Sequence, residues 1–153
     1  MLRLSKLTDY ATVILSFMAR DDGRIRAAME IANVTGIALP TVSKILKALL
    51  NANVLVSTRG AKGGYALATT PEKITVATII SALEGPIAVT ECSISQQGCE
   101  QASGCNISGH WSVINQAIYN ALESVTLADM IKPRETLIPI ASLHRIENHN
   151  VSQ

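Results

Sequence analysis

PTVSKILKALLNANVLVSTRGAKGGYALA, residues 40–68, changes its hydrophobic period halfway along, and that change decides the fold. Val42, Ile45, Leu46, Leu49 and Leu50 recur at steps of three, one, three and one, which lays an apolar stripe along one side of a helix. Pro40 stands where a first helical turn tolerates a residue without a backbone N–H. Thr41, Ser43, Lys44 and Lys47 fall on the other side. From Val54 the pattern becomes that of two short strands, Val54–Ser57 and Tyr65–Ala68, around Arg59-Gly60-Ala61-Lys62-Gly63-Gly64. Three glycines and two cations in six residues describe a flexible, positively charged hairpin tip.

Upstream, Ser5 is placed to cap a helix whose apolar face is Leu7, Tyr10, Ala11, Ile14, Leu15 and Met18, ended by Asp21-Asp22-Gly23. A short helix is predicted over Ala27–Thr35, with Met29, Ile31, Ala32 and Val34 offered for burial and Gly36 as its left-handed stop. Helix, short helix, turn, helix and basic hairpin is the order of a winged helix-turn-helix. The expected class is therefore mainly α.

Downstream, Thr69-Thr70-Pro71 reads as a short boundary. Thr75 then caps a helix through Glu84, with Val76, Ile79, Ile80 and Leu83 on its apolar face and Gly85-Pro86 ending it. Residues 87–107 show no period. From about Ser108 a long helix resumes, with Trp111, Ile114, Ile118, Leu122 and Val125 in a stripe narrow enough for a helix–helix seam. Few other elements are left to cover that seam, so a second copy of the chain is the expected partner. Thr126-Leu127-Ala128-Asp129 starts one more short turn. The predicted organisation is a DNA-binding winged helix over 1–69, a cysteine-bearing loop and dimerisation helix over 70–131, and a tail over 132–153.

The chain is long enough to bury one core, and its hydrophobic fraction of 48% suits a folded protein. No segment reaches the length of a membrane span, and the amino terminus lacks the apolar run of a signal peptide. A cytoplasmic protein without a membrane partner is expected. One Phe, one Trp and three Tyr are too few for a base-stacking platform, which disfavours single-stranded nucleic acid. Charge is unevenly divided: residues 1–69 carry +5 and residues 70–153 carry −4. A basic front half points to a polyanion, and with this fold to double-stranded DNA. Thr41, Ser43, Lys44 and Lys47 would face the major groove. Arg59 and Lys62 would reach a minor groove or the flanking backbone, where the glycines permit close approach.

All three cysteines, Cys92, Cys99 and Cys105, lie within fourteen residues. An odd number in a reducing compartment favours metal or redox chemistry over a disulfide framework. Three thiolates in one loop suit an iron–sulfur cluster, either [2Fe–2S] or [4Fe–4S], with a fourth ligand from elsewhere. His110 and Asp9 are the candidates for that ligand. Three cysteines with His110 also suit a tetrahedral zinc site, although CxxC-like pairs are absent. Free redox thiols are the third reading. No nucleophile–base–acid constellation is visible, so an enzyme is not expected. An iron–sulfur carrier would need the loop but not the basic hairpin.

The chain resembles the Rrf-two family of bacterial winged-helix regulators, which includes the cluster-biogenesis regulator IscR and the nitric-oxide sensor NsrR. The likeness covers about residues 1–131. It rests on Leu4-Ser5-Lys6-Leu7-Thr8-Asp9-Tyr10-Ala11, on Arg59-Gly60-Ala61-Lys62-Gly63-Gly64-Tyr65, and on the triple-cysteine loop before a Trp-containing helix. Residues 1–10 and 84–92 are most similar to the subgroup regulating the SUF cluster-assembly operon. The resemblance implies a homodimer built on the long helix, one cluster per subunit, a palindromic operator and repression of cluster-assembly genes. IscR-type members place a ligand histidine where this chain has Ser108, whereas NsrR-type members use an aspartate of the partner's first helix, matched here by Asp9. Ser43 replaces the glutamate of IscR-type recognition helices, so their operator preference does not carry over.

Overall fold

The computed structural model describes residues 3–21, 23–90 and 107–133. Among these residues the chain forms α1 (Lys6–Met18), α2 (Ala28–Thr35), α3 (Leu39–Asn51), β1 (Leu55–Thr58), β2 (Gly64–Leu67), a 3₁₀ turn (Pro71–Lys73), α4 (Val76–Glu84), α5 (Ser108–Glu123) and α6 (Leu127–Ile131). The result is mainly helical with a two-stranded wing. No described helix is long and apolar enough to cross a membrane.

Local chemistry sets the helix ends. The Ser5 side chain accepts from the Thr8 N–H, and the Thr75 side chain accepts from the Thr78 N–H. Thr126 and Asp129 form a reciprocal capping box at α6. Gly36 closes α2 at φ 70°, the left-handed conformation predicted for it. On α2, only Ile31 and Ala32 are buried, with Ala28 packed partly buried against the core. Met29 and Val34 are 54% and 60% exposed, against expectation. Both sit roughly 110° round the helix from the centre of the Ile31–Ala32 face, a poor position for an eight-residue helix to bury.

The wing is displaced by one residue from its predicted register, β1 later and β2 earlier. Val54 lies between α3 and β1: its N–H donates to the Leu49 carbonyl at 2.9 Å, and its carbonyl accepts from the Ala68 N–H at 3.0 Å. Asn53 makes that corner at φ 58°, a conformation asparagine tolerates. The strands pair antiparallel with Leu55 opposite Leu67 and Thr58 opposite Gly64. A third segment joins them: the Arg26 N–H donates to the Tyr65 carbonyl and the Tyr65 N–H to the Arg26 carbonyl, each at 2.8 Å.

One core serves both sides of position 70. Ile14, Leu15, Ile45, Leu46 and Leu49 pack with Ile74, Ile79 and Leu127, all essentially inaccessible. The return of the chain is stitched by Val76 N–H to the Val125 carbonyl (2.8 Å) and Leu127 N–H to the Ile74 carbonyl (2.7 Å). Glu84, at the end of α4, accepts from the Ser5 N–H (2.7 Å) and the Thr8 hydroxyl, tying α4 to the start of α1.

Candidate nucleic-acid interface and cysteine segment

The inward stripe of α3, Val42, Ile45, Leu46 and Leu49, is completely buried and fixes the helix's rotation. Ser43, Lys44 and Lys47 are consequently exposed, and Thr41 is half-buried in the first turn. Arg59 and Lys62 are exposed on the turn between β1 and β2.

The electrostatics sharpen this face. Two of the front half's four acids are engaged elsewhere: Asp21 and Glu30 bind Arg26, and both also lie within 4 Å of Arg24. Lys44, Lys47, Arg59 and Lys62 make no ion pair among the described residues. A polyanion would meet four uncompensated cations there.

The tip glycines have a role that sequence reasoning assigned differently. A Cβ on Gly63 would overlap the Thr58 carbonyl oxygen and approach the Gly60 carbonyl oxygen to 2.9 Å. A Cβ on Gly64 would overlap the Arg26 carbonyl oxygen and lie 2.6 Å from its carbon. Both glycines are required by the chain's own backbone, before any ligand is considered.

Cys92, Cys99 and Cys105 lie outside the described residues. Their segment departs from a fixed point, however. The Asn115 side chain on α5 accepts from the Val89 N–H (3.1 Å) and donates to the Ile87 carbonyl (3.0 Å), three residues before Cys92. Asp9 is exposed in the first turn of α1, along a groove of about 930 Å³ lined also by Arg3, Lys6, Glu84 and Met130. Its carboxylate makes no hydrogen bond or ion pair among the described residues. His110 is exposed in the first turn of α5 and is not bonded to Asp9. No three described His, Cys, Asp or Glu side chains gather as a metal site.

On α5, none of the described side chains is buried. Val113 is 71% and Ile114 45% exposed. Trp111, Ile118, Leu122 and Val125 are half-buried. Ile118 and Leu122 line an apolar cavity of about 500 Å³ with Ile80, Pro86 and Ile87, so part of the predicted seam faces the chain's own α4.

Carboxylates at the element junctions are stabilised in their charged form. The Thr8 hydroxyl and then the Ser5 N–H hold Glu84 below the usual carboxylate range. Asp129 falls to about 2, chiefly through Lys132 and then through the Thr126 backbone and hydroxyl.

Sequence reasoning missed Arg26 and Asn115. Arg26 reads as one more surface cation, yet it is 4% exposed. Asn115 carried a signal: with Trp111, Ile118 and Leu122 it completes a four-three-four spacing, a polar side chain set in an apolar stripe.

Residues 4–133 match the family Rrf2, described as an iron-dependent transcriptional regulator. The HTH-type transcriptional regulator NsrR of Oceanobacillus iheyensis is 30% identical over 150 residues, covering 95% of this chain and all of that one. Among solved structures, CymR, the global cysteine regulator of B. subtilis, superposes with a TM-score of 0.66 at 31% identity, over 86% of this chain and 97% of CymR. IscR of T. potens superposes with a TM-score of 0.62 at 28% identity, over 85% of this chain and 86% of that one.

Proposed function

The chain belongs to the Rrf2 family of transcriptional regulators, and from that premise we propose that it is an iron–sulfur-sensing, DNA-binding repressor of SUF-type cluster-assembly genes. The observation that carries the DNA-binding part is the set of uncompensated cations on α3 and the wing tip. Lys44 and Lys47 meet guanine edges or phosphates, with Thr41 and Ser43 hydroxyls beside them. Arg59 and Lys62 grip the flanking backbone or minor groove. Two copies joined along α5 bind the two halves of a palindromic operator. The exposed Val113 and Ile114 support that joining, with the half-buried Trp111 and Val125 and the outer edges of Ile118 and Leu122, which also face α4, completing the seam.

The donor set suits a cluster. Cys92, Cys99 and Cys105 supply thiolates, and Asp9 of the partner subunit supplies a carboxylate that no described residue of its own chain engages. His110 is the competing fourth ligand. When bound, the cluster supplies a centre that oxidation, nitric oxide or iron shortage removes. The chain's own part is transmission. Asn115 holds residues 87–89 on α5, and Glu84 holds the preceding turn on α1. Order in the cysteine segment thereby bears on the dimer helix and on the spacing of the recognition helices. The SUF target rests on the likeness of residues 1–10 and 84–92 to that subgroup. Nitric-oxide sensing is the second reading, favoured by the 30% identity to NsrR.

Anaerobic purification with absorbance and Mössbauer spectra, then DNA titration of holo and apo forms, tests the proposal. Iron and sulfide with form-dependent affinity are expected. A colourless protein with stoichiometric zinc overturns the sensing role. Asp9→Ala should bleach the cluster; if His110→Ala bleaches it and Asp9→Ala does not, the ligand assignment is reversed.

A further inference from the structure

We infer that Arg26, which has no place on the DNA-facing surface, is the positioning residue that sets the wing against the recognition helix. The inference rests on the proposed DNA-binding reading and goes beyond it, because it assigns operator affinity to a buried side chain.

Arg26 is held at both ends. Its guanidinium Nη2 donates to Asp21, just beyond α1, and its Nη1 donates to Glu30 on α2 at 2.6 Å. The guanidinium lies 4.2 Å from the centre of the Phe17 ring on α1. Its main chain pairs twice with Tyr65 of β2. The same residue therefore clamps the α1–α2 corner with its side chain and the wing with its backbone. Gly64 brings β2 so close that any Cβ would strike the Arg26 carbonyl. On the opposite strand, Leu55 anchors β1 in the core. Of the two strands that carry Arg59 and Lys62, one is seated by apolar packing and the other by Arg26.

The chemistry explains why arginine stands here. A buried cation is costly unless paired. A planar fork can meet two carboxylates on different elements while stacking on an aromatic ring, whereas a lysine ammonium cannot do all three. Among the described residues the buried Nε has no hydrogen-bond partner. Geometry is what the arrangement specifies: turn the guanidinium, and the strand it carries turns with it.

A double-mutant cycle tests the inference. Arg26→Lys, Arg59→Ala/Lys62→Ala and their combination are compared with the parent chain. Binding is measured to a duplex of roughly three helical turns, enriched from a random pool against the parent. Each protein is used below its own unfolding transition. Arg26→Lys should weaken binding roughly threefold to tenfold, at the low end of couplings between contacting groups, and cost nothing further once the two wing cations are gone. An equal loss in both backgrounds overturns the inference, since it marks a general weakening of the fold. So does an undiminished affinity of Arg26→Lys while the wing variant binds weakly. A wing variant that binds like the parent sinks the DNA-binding reading of the wing itself. Glu30→Gln, which leaves the Asp21 contact in place, replaces Arg26→Lys in the same cycle if the lysine variant does not fold.

Discussion

Replacing Gly64 by alanine tests whether the wing is seated as described. The new Cβ would overlap the Arg26 carbonyl oxygen and stand 2.6 Å from its carbon and 3.0 Å from the Ala27 nitrogen, all backbone atoms. No side chain can swing away to make room. Two routes of relief exist. The backbones can be forced apart, an overpacking cost of about 1–3 kcal/mol. Alternatively β2 can peel from Arg26 and give up two hydrogen bonds, also about 1–3 kcal/mol in net terms. Either route lowers the melting temperature by roughly 2–12 °C for a domain of this size. The second also exposes the Tyr65 amide, so thermal unfolding should be paired with hydrogen exchange. Gly60→Ala is the control: its Cβ meets nothing within 4 Å, and only the backbone at φ 114° is strained, costing about 1–3 kcal/mol but leaving the Tyr65 amide protected. A Gly64→Ala protein that melts within about 1 °C of the parent, with Tyr65 still protected, would refute this reasoning.

Leu127→Ala should destabilise the chain by about 2–5 kcal/mol, because Leu127 is fully buried against the helix-turn-helix core. Urea unfolding followed by far-ultraviolet dichroism and by Trp111 fluorescence should shift together; a shift confined to the fluorescence contradicts the shared core. Acid should weaken the fold. Glu84 and Asp129 both have lowered pKa values, so their contribution is complete above the ordinary carboxylate range near pH 4. It is lost as pH falls through the folded values, for Asp129 down to about 2. Asp129→Asn should flatten the stability profile over that window, and an unchanged slope contradicts it.

The helices were legible because their signals are local. Ser5, Thr75 and Gly36 act on residues three or four away, and the α3 stripe needs only its own period. The cations of the candidate DNA face were legible for the same reason, as the outward side of that stripe. Partnerships at long range were not. Arg26 finds Tyr65 thirty-nine residues on, and Glu84 reaches Ser5 and Thr8 across the whole winged helix. Nothing in the residues around Leu127 marks it as core; its burial depends on Ile74 returning beside it. Charge counting gave the surplus of the front half but not its location: Asp21 and Glu30 hold Arg24 and Arg26, which leaves the excess on other cations.

The central claim, that this face of α3 and the wing tip hold DNA, is tested most directly by the salt dependence of duplex binding. The parent chain is compared with the Lys44→Ala/Lys47→Ala/Arg59→Ala/Lys62→Ala variant, both prepared anaerobically. If each cation meets a phosphate, the slope of log affinity against log salt should lessen by roughly 3 to 4 for each chain. An identical slope in the two proteins would contradict the account.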